Sequence, residues 1–176
     1  VFIEHVGIPI LPAIPQAVQA LQEMGMHRKV QLIVSGGIRS GADVAKAMAL
    51  GADAVAIGTA ALIALGDNHP RLDDELKAIG SAAGYYDDWQ NGRDPAGITT
   101  QDPELSKRLD PIEGGRHLAN YLRVLTLEAQ TMARACGKSH LHNLDPEDLV
   151  ALNVEAAAMA RVPLAGTNWI PGQVHY

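Results

Sequence analysis

The chain has 176 residues, 47% of them hydrophobic, the size and composition of a soluble globular domain with a core of its own. Fourteen basic residues against twenty acidic ones give a net charge of −6, and this scattered acidic balance argues against a nucleic-acid partner and a polybasic membrane surface. The longest apolar run, Ala54 to Gly66, lies between Asp53 and Asp67 and is too short to cross a bilayer. One cysteine, Cys136, excludes an internal disulfide, a four-cysteine zinc site or an iron–sulfur cluster held by this chain's thiolates alone, and fits a reduced, cytoplasmic setting. The opening residues VFIEHVGIPI have no basic region ahead of an apolar core, so they do not read as a signal peptide. They begin inside an expected strand, which predicts a piece of a longer protein.

Residues Phe2 to Glu4 read as the end of a strand, with Gly7, Ile8 and Pro9 turning out of it. Pro15 suits the first position of a helix carrying Ala17, Val18, Leu21 and Met24 at helical spacing. A β-rich run, Val30 to Val34, is closed by Ser35, Gly36 and Gly37. A helix is expected from about Gly41, with Val44, Ala45, Met48 and Ala49 on one face and Gly51 as its stop. A second buried strand, Ala54 to Ile57, ends at Gly58 and Thr59. Strands apolar on both faces and separated by helices mean parallel βα units, here too few to close a sheet. From Asp67 to about Pro111 the chain is polar and turn-rich. Beyond it, Leu118, Leu122, Leu125, Ala129 and Met132 stripe a helix from roughly Glu113 to Cys136. A final helix is expected with Asp145 as N-cap and Pro146 at its first position.

The sharpest chemical signal is a pair of turns, SGG (35–37) and GTA (58–60), each after a strand and before a helix. Glycine lets backbone amides approach an anion there, and two consecutive βα loops of this kind form the recurrent phosphate site of barrel enzymes. Ser35 adds a hydroxyl donor. The plainer alternative is a pair of tight strand-to-helix turns. A dinucleotide fingerprint does not fit, because the spacing is G-G-x-x-x-G and Asp53 precedes the second strand instead of ending it. Cys136, His140 and His142 superficially resemble a metal set, but no fourth ligand stands beside them and a surface role fits them better. His5 is open to either an active-site mouth or a turn. Trp89 and Trp169 are lone aromatics with no role the sequence decides.

Taken together, IVSGGIRSGADVAKAMALGADAVAIGTAALIALG (33–66) and GITTQDPELSKRL (97–109) resemble the FMN-binding synthase domain of the glutamate synthase family. The resemblance implies an α/β fold: the C-terminal part of an FMN-binding (β/α)8 TIM barrel in residues 1–66, a helix and loop in 67–112, and a C-terminal helical extension in 113–176. It implies FMN, its phosphate on Ser35, Gly36 and Gly37 and on Gly58 and Thr59. The family follows its barrel with C-x5-C-x4-C-P-x-G-[IV]-A-T-Q, whose cysteines hold a 3Fe–4S cluster. Here Ala83, Trp89 and Asp94 fall at those three positions, so no iron–sulfur cluster is expected from this chain. The segments DPAGITTQDPEL and EAQTMARACGKSHLHNLDPEDLV are similar to a branch of the family that joins a small amine to L-glutamate with release of ammonia. The implied partners are those two substrates and the other subunits of a glutamate-synthase-like complex. Catalytic residues are left unassigned.

Overall fold

The computed structural model describes residues 6–67, 69–79 and 93–173. In chain order they hold α1 (Ile10–Glu23), β1 (Ile33–Ser35), α2 (Gly41–Ala49), β2 (Ala54–Ala56), α3 (Thr59–Leu65), α4 (Asp73–Ala78), α5 (Pro103–Ser106), α6 (Pro111–Ala135) and α7 (Val154–Ala160). Single 3-10 turns lie at Pro70–Leu72, Leu141–Asn143 and Pro146–Asp148. The described residues are mixed α/β, mostly helical, with one small parallel sheet. They divide into two compact units, one drawn from 1–57 and 125–176, the other from 58–124. The expected strand at Phe2 to Glu4 lies outside the described residues, as do His5, Ala83 and Trp89.

In the first unit β1, α2 and β2 make the expected βαβ element, with Ile33 opposite Ala54, Val34 opposite Val55 and Ser35 opposite Ala56. The first strand is shorter than its β-rich sequence: Val30 forms an isolated bridge with His27 instead. Asp53 fastens the start of the ladder, since its carboxylate accepts the Leu32 N–H at 2.7 Å and its own amide donates to the Leu32 carbonyl at 2.8 Å. Val34 and Val55 face the core with Ile14 of α1 and Val44 and Met48 of α2. Ser35, Ala54 and Ala56 are exposed on the other face, and Ile33 is 65% exposed. Burial on both faces was expected from the apolar strands; among the described residues only one face is covered, because the helices of this unit pack on the Val34–Val55 side.

Helix α2 follows its local signals. Ser40 and Asp43 form a reciprocal capping box, the stripe Val44, Ala45, Met48 and Ala49 is buried, and Gly51 follows with φ +112. By contrast, α1 begins five residues before Pro15, with Pro9 as its N-cap and Pro15 inside the helix. Pro15 lacks the N–H that would bond to Leu11, yet burial of Ile14 and packing of Ile10 and Val18 on the core outweigh that one missing bond. Further along, α6 keeps the expected bounds within two residues at each end, but of its apolar stripe only Ala129 is buried, Leu118 and Leu125 are half-buried, and Leu122 and Met132 are exposed. The helix expected from Asp145 is only the 3-10 turn Pro146–Asp148, although Asp145 caps it with a capping box. Long-range pairing draws the chain away: Ala151 donates to the Pro163 carbonyl and accepts from Ala165, both at 2.8 Å. Helix α7 starts only after Asn153, whose side chain accepts the Ala156 N–H at 2.7 Å.

Lys138, just beyond α6, donates to Asp145 at 3.0 Å and lies 3.2 Å from the Asp148 carboxylate. The hydrogen bond from Lys138 holds the Asp145 carboxyl below its ordinary range, and Asp145 and then Asp148 raise Lys138 above its own. A depressed carboxylate contributes stability above its unfolded pKa of about 3.9, lost as pH falls through the lower folded value. A raised lysine contributes below about 10.4, and that share is lost as pH rises through the higher folded value. The melting-temperature difference between the wild type and Lys138→Met is therefore expected to be steady from about pH 5 to 9 and to shrink beyond both ends. A difference that grows toward acid would contradict this.

In the second unit Asp102 caps α5, accepting the Glu104 and Leu105 N–H groups at 2.8 and 3.0 Å, and bonds from Leu105 and then Glu104 hold its carboxyl below the usual range. Arg108 reaches the Glu75 carboxylate at 2.6 Å and the Pro95 carbonyl at 3.0 Å. Among its described residues, the polar 67–111 segment thus holds the 3-10 turn Pro70–Leu72, the short helices α4 and α5, and a clamped turn.

Candidate functional site

Ser35, Gly36 and Gly37 form the turn that leaves β1. Gly36 and Gly37 have φ +128 and +68, conformations that L side chains rarely adopt, and all three residues are exposed. A Cβ at Gly37 would meet nothing within 4 Å, and its amide donates to no group among the described residues. The turn borders an open cavity of ≈ 560 Å³ whose other walls include Ile8, Ile10, Ile14 and Val34. These features suit close approach of an anion to main-chain donors.

At the N-terminus of α2 four amides are already engaged. The Gly41 amide donates to the Glu128 carboxylate of α6 at 2.6 Å, and the Asp43 amide to Ser40 Oγ at 3.3 Å. The Arg39 and Ser40 amides are taken by the Asp43 carboxylate at 3.0 and 3.1 Å. The amides of Arg39, Ser40, Gly41 and Asp43 are therefore already engaged within the protein, whereas among the described residues the Gly37 amide upstream is not.

Gly58 and Thr59 belong to the second unit, where Gly58 is the N-cap of α3 and both residues are exposed. Gly58 brings no side-chain cap to the α3 amides, and a Cβ there would meet nothing within 4 Å. Within the first unit, the Ser35–Ala56 pairing ends both strands, and the Gly36–Gly37 turn leaves β1 at that end.

Asp94 organises the turn at the start of the 93–124 stretch of the second unit. Its carboxylate accepts the N–H groups of Ala96, Ile98 and Thr99, each at 2.8 Å. Sequence reasoning placed Asp94 opposite a cysteine but not at the centre of a turn; the D-P-x-G spacing was the available signal. Asp94→Ala is expected to cost about 2 kcal/mol, since three backbone donors, two of them in part-buried bonds, lose one charged acceptor, and Asp94→Asn about half of that. Amide hydrogen exchange over 95–101 checks it: unchanged protection in Asp94→Ala would contradict the assignment.

The histidine pair is engaged locally. His140 and His142 stack with ring centroids 5.0 Å apart, and His142 Nε2 lies 3.0 Å from the Asp53 carbonyl oxygen. Cys136 is exposed, and no group of three or more metal-ligating side chains occurs among the described residues. Trp169 is 46% exposed, its amide bonded to Thr167 Oγ1. No helix among the described residues is long and apolar enough to cross a membrane.

The first unit is thus an α/β domain built on a parallel βαβ element, with the glycine turn Ser35–Gly37 leaving its first strand. The chain belongs to the glutamate synthase family, an enzyme family: the model described as the conserved region in glutamate synthase matches residues 1–72 and 90–139. The chain is 74% identical over 173 residues, 98% of its length, to a Rhizobium meliloti (strain 1021) protein named glutamate synthase large subunit-like protein, of which it covers 39%. It is 44% identical over 144 residues, 82% of its length, to the archaeal glutamate synthase [NADPH] of Methanocaldococcus jannaschii, covering 25% of that protein. It is 42% identical over 141 residues, 80% of its length, to the archaeal-type glutamate synthase [NADPH] of Thermotoga neapolitana, again covering 25%. The chain thus spans two fifths or less of these relatives. No solved structure matches it.

Proposed function

We propose that residues 1–66 supply the last βα units of an FMN-binding (β/α)8 barrel, with 67–112 as the loop that follows and 113–176 as a helical extension. Ser35, Gly36 and Gly37 on one turn, and Gly58 and Thr59 on the next, hold the phosphate of FMN. The positive φ values at Gly36 and Gly37 and the open space at Gly37 and Gly58 support this fit. The exposed sheet face carrying Ile33, Ser35, Ala54 and Ala56 is the one that an inward-facing barrel surface requires. FMN bound there supplies reversible hydride acceptance at the substrate Cα, which lets an amine replace ammonia through an imine with no net change in oxidation state. The chain's own part is to bind and orient: the Ser35 hydroxyl and Gly37 amide donate to phosphate oxygens, and the glycines leave room for the approach.

The whole protein is, on this reading, an FMN-dependent enzyme of glutamate-synthase type. Its reaction is that of N-methylglutamate synthase: methylamine and L-glutamate give N-methyl-L-glutamate and ammonia. The observation that carries this choice is the loop in which Ala83, Trp89 and Asp94 stand where three thiolates would be needed, with both Asp94 oxygens engaged by backbone amides. A loop without those thiolates lacks the ligands of the cluster that would pass outside electrons to FMN by that route, and amine exchange needs none. Other subunits of a glutamate-synthase-like complex are its partners. The names of the archaeal-type relatives favour a second reading, synthesis of glutamate from glutamine and 2-oxoglutarate. Turnover of the intact complex separates the two. N-methylglutamate and ammonia formed in equal amounts from methylamine and glutamate, with no reductant present, is the expected result. Glutamate formed from glutamine and 2-oxoglutarate, with reductant consumed, would replace it by the second reading.

A further inference from the structure

We propose that Glu128 is a positioning residue for the phosphate-binding turn, acting through Gly41 from the C-terminal helical extension. The inference rests on the phosphate reading of Ser35, Gly36 and Gly37 above. Three observations within the first unit carry it. The Glu128 carboxylate accepts the Gly41 N–H at 2.6 Å, the shortest of the backbone-to-carboxylate bonds at this end of α2. Gly41 is buried against α6 so closely that a Cβ there would lie 2.4 Å from the Ala129 nitrogen and 2.4 Å from the Leu125 oxygen. Between Gly37 and Gly41 the chain has only Ile38, Arg39 and Ser40; Ile38 is buried in the core, and the amides of Arg39 and Ser40 are held by Asp43.

The consequence is mechanical. Gly36 and Gly37 have soft backbone conformations, and a soft turn presents an anion with donors in a fixed direction only if both its ends are held. The ladder pair Ser35–Ala56 holds one end. The clasp of Glu128 on Gly41 holds the other. Glu128 also places its own charge at the positive end of α2, so this helix end is closed to a bound phosphate, which meets the turn instead. Glu128 therefore acts through the bond it accepts, and its negative charge is not what favours the phosphate.

Comparing FMN with riboflavin isolates the phosphate. Both are titrated into the intact protein freed of flavin, for the wild type, Glu128→Ala and Glu128→Gln. The wild type is expected to bind FMN at least about a hundredfold more tightly than riboflavin, as several charge-assisted bonds to phosphate imply. In Glu128→Ala that ratio is expected to fall by about tenfold or more, with riboflavin affinity changed by no more than about twofold. Glu128→Gln keeps an acceptor for the Gly41 N–H and is expected to retain the wild-type ratio within about threefold. An unchanged ratio in Glu128→Ala would overturn the proposal. So would an equal loss of FMN and riboflavin affinity, which marks a merely structural role, or a Glu128→Gln protein that binds FMN more tightly than wild type. Equal binding of FMN and riboflavin by the wild type is a separate failure, removing the phosphate site itself.

Discussion

Alanine at Gly41 is expected to cost about 3 kcal/mol, the upper part of the range for forcing atoms into a close-packed contact. The added Cβ would stand 2.4 Å from the Ala129 nitrogen, 2.4 Å from the Leu125 oxygen and 2.6 Å from the Glu128 Cβ. Two of those atoms are backbone of α6 and cannot rotate aside, so the helices must separate. The residue sits at the first position of α2, where alanine is otherwise the better helix former, so propensity alone predicts the opposite sign. Urea unfolding followed at α2 and β2 decides it. A variant as stable as the wild type, or more stable, would mean that α6 does not approach α2 as closely as described.

Alanine at Gly97 is expected to have an effect of similar size for two reasons that add. Gly97 has φ +79, and its Cβ would lie 2.2 Å from the Leu105 carbonyl oxygen. Backbone strain and the clash together amount to about 3–4 kcal/mol. The chain holds two compact units, so the loss is local and one unfolding free energy does not describe it. Hydrogen exchange is the suitable measurement: amides of 96–109 should lose protection while those of 44–57 keep theirs. Loss of protection throughout would show the two units to be one cooperative structure.

What was legible in the residues is what short-range signals decide. The apolar stripe of α2 and the glycine at Gly51 made one helix readable, and the capping box at Ser40 and Asp43 fixes its start. The glycine turns at Gly36–Gly37 and Gly58 were visible for the same reason. Local signals misled where distant partners outweighed them. Asp145 and Pro146 carry a strong helix start, but pairing of Ala151 with the 163–165 segment allows only a turn. Pro15 reads as a first helical residue, yet burial of its neighbours carries α1 five residues upstream. The Glu128–Gly41 bond joins residues 87 apart, and no spacing rule reaches that far. The chemistry lies partly beyond the residues themselves: the earlier loops of a barrel would carry the substrate groups, and the chain spans 39% of its Rhizobium meliloti relative.

The most direct test of the account is the absorption spectrum of the intact purified complex before and after anaerobic addition of L-glutamate alone. The account predicts an oxidised flavin spectrum that bleaches on adding glutamate, with no reductase, ferredoxin or NADPH present. Flavin that stays oxidised with glutamate and bleaches only when a reductase is supplied would contradict amine exchange and return the protein to glutamate synthesis with outside electrons. A complex that carries no flavin would contradict the phosphate site and leave a barrel that serves as scaffold.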